Sequence, residues 1–265
     1  MADHLLLAAD LTPALHAAGL ATAEALLTLG DAPPDAPHVL EVVDLDVPGT
    51  VGRFHLKRYH YPSWERSRGL LGRGTLWGRA PEVNEFKALQ RLRELGVPAV
   101  RPVAAAARTS GGRLVGHALL TEHVPDAIDL ARRLRTPGDP VREDASVRRR
   151  TLASIAGHLA RMHAAAFVHG SCNARNILVR LGGEETQIVF LDCRRGGSAS
   201  WRRSGVSDLA TLDGDLEGLV PASDRLRALR AWLPAGKPTR PMHERVVRQR
   251  ERLGRRAAKR GRARR

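Results

Sequence analysis

The sequence predicts an α+β fold in two lobes: a β-rich amino-terminal lobe with one key helix, and a short, mostly helical carboxyl-terminal lobe. Three observations predict it. Residues 38–61 read as two strands around a Gly-containing turn, with Lys57 inside the second strand. A helical pattern over 82–95 follows and carries Glu85, 28 residues after that lysine. Further on, a helical pattern over 151–166 runs into His169-Gly170-Ser171-Cys172-Asn173-Ala174-Arg175-Asn176 and an apolar β pattern, Ile177-Leu178-Val179. A second β pattern, Gln187-Ile188-Val189-Phe190-Leu191, ends on Asp192, sixteen residues after Asn176.

Composition bounds the rest. With 265 residues and 43% apolar residues the chain is long enough for two lobes with a real core and too apolar for disorder. Aromatic residues are only 4%, so Leu, Val and Ala must fill that core. The two cysteines, Cys172 and Cys193, make neither a disulfide framework nor a zinc spacing, and they fit a reducing cytosol. No run of about 18 apolar residues occurs, so no membrane-spanning helix is expected. The opening Met1-Ala2-Asp3-His4-Leu5-Leu6-Leu7 has no basic stretch before its apolar run and is not expected to be a signal peptide. Residues 236–265 hold 13 of the 43 basic and 2 of the 28 acidic residues, and so +11 of the net +15. Only four basic residues are lysines, at 57, 87, 237 and 259, which gives a lysine at a meaningful position extra weight.

In chain order, Leu5, Leu6, Ala9, Leu11, Leu15, Ala18, Leu20, Leu26 and Leu27 recur at three- and four-residue steps, and the spacing predicts helix over 5–29, closed by Gly30. The strands follow, with Val47-Pro48-Gly49-Thr50-Val51-Gly52 as their turn. Residues 62–80 read as an irregular connection. On the helix over 82–95, Val83, Phe86, Leu89, Leu92 and Leu95 share a face. Strand patterns lead from Gly96-Val97-Pro98 through a turn at 110–113 to Leu119-Leu120-Thr121-Glu122. On the helix over 151–166, His163 reads as a packed or capping histidine. After Asp192 come a Gly-rich loop, a helix beginning at Asp208-Leu209-Ala210, a helix over 222–233 and a basic, weakly amphipathic helix in the last thirty residues.

The stretch from His169 to Asn176 has the layout of a protein-kinase catalytic loop, in which an Asp is the base and a later Asn holds Mg²⁺. His169 and Asn176 fit its first and last positions. Ser171 occupies the position of the base. Read in the same way, Lys57 would meet the ATP phosphates, Glu85 would pair with it, and backbone groups near Glu122 and Val124 would bond an adenine edge. Each has a plainer reading. Lys57 suits a surface position in an ordinary hairpin, because Gly49 and Gly52 do not complete a G-x-G-x-x-G. Glu85 suits a solvated helix charge, as do Glu82 and Glu94.

The whole set resembles the lipopolysaccharide kinases of the Kdo/WaaP type. The residues that carry the resemblance are Phe54-His55-Leu56-Lys57-Arg58-Tyr59, Glu85 through Pro98, Leu120-Thr121-Glu122, His163 through Gly170, Ala174 through Val179, Leu191-Asp192 and Ser207-Asp208-Leu209-Ala210. The resemblance implies ATP and Mg²⁺ as cofactors, Lys57 on the phosphates, Glu85 as its partner, and Asn176 and Asp192 as metal ligands. It implies phosphorylation of a lipid-linked sugar acceptor of the lipopolysaccharide core by a cytoplasmic protein peripheral to the inner membrane. The family pattern expects an acidic residue where Ser171 stands, so two outcomes stay open: slow transfer, or a pseudokinase that binds Mg·ATP and regulates a partner. The basic tail suits an anionic membrane surface at about 1 kcal/mol per basic residue. It suits nucleic acid less, lacking aromatics for base stacking. A merely solvated extension fits it as well. The expected domains are an amino-terminal helical extension (1–37), the first lobe (38–122), the second lobe (123–235) and the basic tail (236–265).

Overall fold

In the computed structural model the described residues are 2–61, 80–111, 113–182, 185–199, 204–235 and 237–262. The irregular connection expected over 62–80 lies outside them except for Ala80. The chain forms two compact units, Met1–Arg91 with Val100–Pro125, and Leu92–Ala99 with Asp126–Arg265.

The first unit contains β1 (Ala2–Leu7), α1 (Thr12–Ala17), α2 (Ala23–Thr28), β2 (His38–Asp44), β3 (Arg53–His60), α3 (Pro81–Glu94, its last turn grouped with the second unit), β4 (Pro102–Ser110) and β5 (Arg113–Glu122). The strands make one antiparallel sheet in the order β1-β4-β5-β3-β2. Strand side chains alternate between faces. One face, with Phe54, Leu56, Ala104, Ala106, Ala118 and Leu120, packs on Leu11, Leu15, Leu20 and Leu26. On the other, Ala105 and Leu119 pack on Phe86, while Ala107 and Leu114 pack on Val83. The run Ala104–Ala107 is buried throughout, and its small side chains let helices approach the sheet from both faces. Lys57 is the register partner of Leu119 and therefore shares the face that carries α3. Arg58, fully buried on the other face, donates to the carbonyls of Leu27 (3.1 Å), Ala32 (2.6 Å) and Pro33 (3.0 Å), fastening the exit of α2 to β3.

The helix expected over 5–29 is corrected. Residues 2–7 form edge strand β1, held by register pairs from Ala2–Thr109 to Leu7–Ala104. Arg108 grips Asp3 through two bonds of 3.0 Å. A run of three leucines satisfies a helical and a strand period equally, and the unpaired edge of β4 decides between them. The helical part is split into α1 and α2 by Gly19, which adopts φ +71°. The segment 1–37 is thus no helical extension but part of the sheet and its covering layer.

The second unit contains β6 (Ile128–Asp129), α4 (Leu130–Arg135), α5 (Pro140–Glu143), α6 (Ala145–Ala164), β7 (Phe167–Val168), β8 (Ile177–Gly182), β9 (Glu185–Phe190), β10 (Gly197–Ser198), α7 (Gly205–Leu216), α8 (Ala222–Trp232) and α9 (Thr239–Arg262). Strands β6-β8-β9 form one small sheet and β10-β7 another. Helix α6 starts six residues before the predicted 151, because the Asp144 carboxylate caps it, accepting from Ser146 N (2.6 Å) and Val147 N (3.3 Å). Asp224 of α8 is buried and takes Arg148 (3.0 Å) and Arg149 (2.7 Å) of α6. Burial opposes its ionisation, but these guanidiniums hold its carboxyl below the ordinary carboxylate value.

Of the readings open for the basic tail, the merely solvated extension is corrected. Helix α9 packs on α7 through buried Val246, through Gln249 donating to Ser207 Oγ (3.0 Å), and through Arg250 donating to Asp213 Oδ2 (2.8 Å). It completes the helical layer of the second unit and is not a solvated appendage.

Candidate active site

In the first unit, the alternation of β3 delivers Lys57 to the side where α3 lies. There its Nζ donates to Glu85 Oε1 at 2.8 Å. The Glu85 side chain is 1% exposed and that of Lys57 22%, so the carboxylate is buried and the lysine side chain is partly exposed. At an effective dielectric near 20, unit charges at that separation attract by about 6 kcal/mol before desolvation is counted. The plainer readings of Lys57 and Glu85 therefore do not describe them: neither is a solvated surface charge. One turn earlier on α3, Glu82 pairs with buried His117, which also meets the Tyr61 hydroxyl at 2.9 Å. The turn between β2 and β3 is tied down by Arg101, which donates to Gly49 O (3.2 Å) and to Glu122 Oε1 (3.2 Å). Gly49 (φ +82°) and Gly52 (φ +73°) take the left-handed conformation there. The backbone N–H of Glu122 donates to Arg101 O (3.0 Å) and that of His123 to Arg53 O of β3 (2.9 Å), after which the chain leaves the sheet.

In the second unit, the loop from His169 to Asn176 is clamped at both ends by α7. Asp208 accepts the N–H groups of His169 (2.8 Å) and Gly170 (2.9 Å), and Asp215 accepts that of Ala174 (2.8 Å). Seven residues, two turns, separate the two aspartates and put both on one helix face. Asp208 is itself held by a relay. Trp232 Nε1 donates to His163 Nδ1 (2.9 Å), so His163 carries its proton on Nε2, which faces Asp208 Oδ2 at 3.1 Å. Gly205 permits this, since a Cβ there would meet the His163 ring at 2.5 Å. Gly170 is required in the same way: its φ is +73° and a Cβ would lie 2.6 Å from Arg195 O.

Within the loop, the Ser171 carbonyl accepts Asn173 N (2.8 Å) and Asn176 Nδ2 (2.8 Å). Asn176 Nδ2 also leans towards Asp192 Oδ2 at 3.4 Å, and Leu191 N donates to Asn176 O at 2.8 Å. Asp192 is one of three non-glycine residues with positive φ among the described residues, at +51°, a conformation that persists only where surrounding structure imposes it. His169 is buried, and burial pushes its imidazole below the ordinary value, so the ring is neutral and its Nδ1 accepts Ser171 N (3.3 Å). Burial pushes the Cys172 thiol up, which makes it an inert packing group.

The structure thus brings Lys57 to Glu85 and brings Ser171, Asn176 and Asp192 together. Glu122 is engaged with Arg101, and no hydrogen bond involving Val124 is seen among the described residues. Among those residues no group of three His, Cys, Asp or Glu could hold a metal alone. The Asn176 amide oxygen and the Asp192 carboxylate are hard oxygen donors, which suits Mg²⁺ completing its shell with phosphates and water. Asp208, Asp215 and His163 are positioning groups whose roles sequence reading did not find. The signal for the aspartates was their seven-residue spacing on the helix.

This arrangement belongs to a protein-kinase-like fold. A solved structure of WaaP in complex with acyl carrier protein matches it with a TM-score of 0.64 at 21% identity, over 97% of this chain and 98% of that one. A model of the lipopolysaccharide kinase (Kdo/WaaP) family matches residues 72–229, and the chain belongs to that family. Similar proteins include a 3-deoxy-D-manno-octulosonic acid kinase of Haemophilus influenzae (strain 86-028NP), 27% identical over 167 residues, 61% of this chain and 60% of that protein. Another, of Vibrio parahaemolyticus serotype O3:K6, is 28% identical over 161 residues, 61% of this chain and 58% of that protein. The match spans under two thirds of the length of these relatives. Among the described residues no helix is long and apolar enough to cross a membrane.

Proposed function

We propose that this protein is an ATP-dependent phosphotransferase that moves the γ-phosphate of ATP to a hydroxyl of a lipid-linked sugar of the lipopolysaccharide core, working at the cytoplasmic face of the membrane. The observation that carries this reading is the 2.8 Å pair between Lys57 and buried Glu85. Glu85 holds the ammonium in one place, where it would meet the α- and β-phosphates. Asn176 and Asp192 would hold Mg²⁺, which supplies charge neutralisation on the phosphates when bound. The clamp from Asp208 and Asp215 keeps the loop that bears Ser171 and Asn176 from collapsing when charge gathers beside it. Phosphoryl transfer rests mostly on such positioning and neutralisation.

Ser171 favours a second reading, a pseudokinase that binds Mg·ATP without transfer. A hydroxyl cannot take up the acceptor's proton as a carboxylate does. A missing general base costs roughly 10²–10⁴ in rate, or about 3–5 kcal/mol of barrier. This leaves a slow enzyme. Calorimetric titration with ATP, with and without Mg²⁺, tests the shared part of both readings. Mg²⁺ should tighten binding at least about tenfold, Asp192→Ala should lose that gain, and Lys57→Ala should weaken binding in both conditions. Absence of binding by the wild type would refute both. ADP release with a lipopolysaccharide core acceptor then separates the enzyme from the pseudokinase.

A further inference from the structure

Helix α9 turns two different faces outward and inward. Val246, Gln249 and Arg250 face α7, as described above. On another face, Arg245, Arg248, Arg252 and Arg255 follow one another at steps of three, four and three. That spacing lines them up along one side of a helix over about 15 Å. All four are exposed, and they line an open groove of about 600 Å³ together with Ser204, Val206, Gln249 and Glu251. Their charge is little compensated. Arg248 reaches Glu244 only at 3.8 Å and Arg255 reaches Glu251 only at 3.7 Å. Among the described residues Arg245 and Arg252 have no carboxylate within ion-pair reach. Like charges three and four apart destabilise an isolated helix, so the stripe is a cost unless an anion meets it.

From this geometry we infer that the arginine face of α9 is a docking surface for the phosphates of an anionic lipid bilayer. The inference rests on the lipid-linked acceptor named under Proposed function. Charge complementarity selects the occupant, since guanidiniums bind phosphate oxygens as planar forks. The absence of Phe, Tyr and Trp from residues 239–262 gives nucleic-acid bases nothing to stack on. With its apolar side already used against α7, the helix lies on the bilayer surface by charge and does not insert, so its binding is steeply salt-dependent.

Flotation with vesicles tests this at about 0.15 M salt, where screening reaches roughly 8 Å. The vesicles are phosphatidylcholine alone, or with roughly one-third phosphatidylglycerol. The full chain should float only with the anionic vesicles. A basic residue near an anionic surface contributes about fivefold to partition, so Arg245→Gln/Arg248→Gln/Arg252→Gln/Arg255→Gln should lose about a hundredfold or more. A control with the same loss of charge, Arg132→Gln/Arg135→Gln/Arg150→Gln/Arg230→Gln, should stay within a few-fold of wild type. Single Arg252→Glu, a surface change that folding tolerates, should weaken binding and flatten its salt dependence. Inorganic phosphate at equal ionic strength should not displace the protein more than chloride does. Equal losses in the two quadruple variants, no flotation of the wild type, displacement by free phosphate, or tighter binding to duplex DNA than to vesicles would each overturn the inference. Vesicle binding is read without nucleotide, so a protein that floats but binds no ATP refutes the kinase reading and not the docking surface.

Discussion

Replacing Asp208 by Asn tests whether the clamp on the loop is what the geometry implies. The carboxylate accepts His169 N at 2.8 Å, Gly170 N at 2.9 Å and His163 Nε2 at 3.1 Å, and it is almost fully buried. An amide of the same shape has a single accepting oxygen and turns an NH₂ towards one of these donors. Hydrogen bonds to a charged group contribute about 1.5–3 kcal/mol each. Losing one outright and the charge on the others should cost about 3–5 kcal/mol, a large part of the roughly 5–15 kcal/mol typical of a domain. The melting temperature should fall by roughly 6–20 °C. Urea denaturation read by tryptophan fluorescence measures the loss, and Trp232, whose indole N–H bonds His163, is among the reporters. Mg·ATP affinity should fall with it, because Asn176 and Ser171 ride on this loop. Asp215→Asn gives the internal comparison: among the described residues its carboxylate hydrogen-bonds Ala174 N alone, and an amide oxygen can still accept, so it should cost about 0.5–1.5 kcal/mol. If Asp208→Asn lies within about 1 kcal/mol of wild type and binds Mg·ATP unchanged, the clamp argument is wrong.

Other expectations concern the base, the last helix and acid. Ser171→Asp should raise ADP release with an acceptor by roughly 10²-fold or more if only the base is missing; no gain in a variant that still binds Mg·ATP would count against the enzyme reading. Deleting residues 236–265 should destabilise the second unit by about 2–4 kcal/mol, because Val246 leaves the apolar groups Leu209, Leu212 and Leu216 that share a cavity with it; an unchanged thermal midpoint would refute the packing of α9. His55, His158 and His169 are all pushed below the ordinary histidine value by burial. The unfolded chain takes up protons near pH 6.5 that the native state refuses, so stability should decline as pH drops below about 6.5. A denaturation midpoint that stays flat down to about pH 5 would contradict this.

The parts of this protein legible in the sequence are those whose chemistry is local. The β2–β3 hairpin alternates with period two, α3 repeats near period 3.6, and the loop from His169 to Asn176 sits between a long helix and a strand. Lys57, Glu85, Asn176 and Asp192 could be named as candidates from residue type and order, and the structure pairs Lys57 with Glu85 and sets Asn176 beside Asp192. Where the reading failed, two periods fitted one short run or the partner lay far along the chain. Leu5–Leu7 became a strand because β4, a hundred residues on, offers an unpaired edge. The last thirty residues read as a basic, weakly amphipathic helix whose role stayed open between a membrane surface, nucleic acid and solvent, because charge hides a packing face that Val246, Gln249 and Arg250 reveal.

By itself, then, the sequence determined which groups could do chemistry and the order in which they are threaded, since side-chain type and periodicity are written residue by residue. It also determined that a serine stands where a base is expected. Tertiary structure alone decided which of those groups meet. The pair Lys57–Glu85 exists because β3 and α3 share one face of a sheet. The loop keeps its shape because Asp208 and Asp215 reach it from a helix some forty residues downstream. Such contacts depend on how layers pack, and packing energy is summed over many distant residues at once, so no local pattern can announce it.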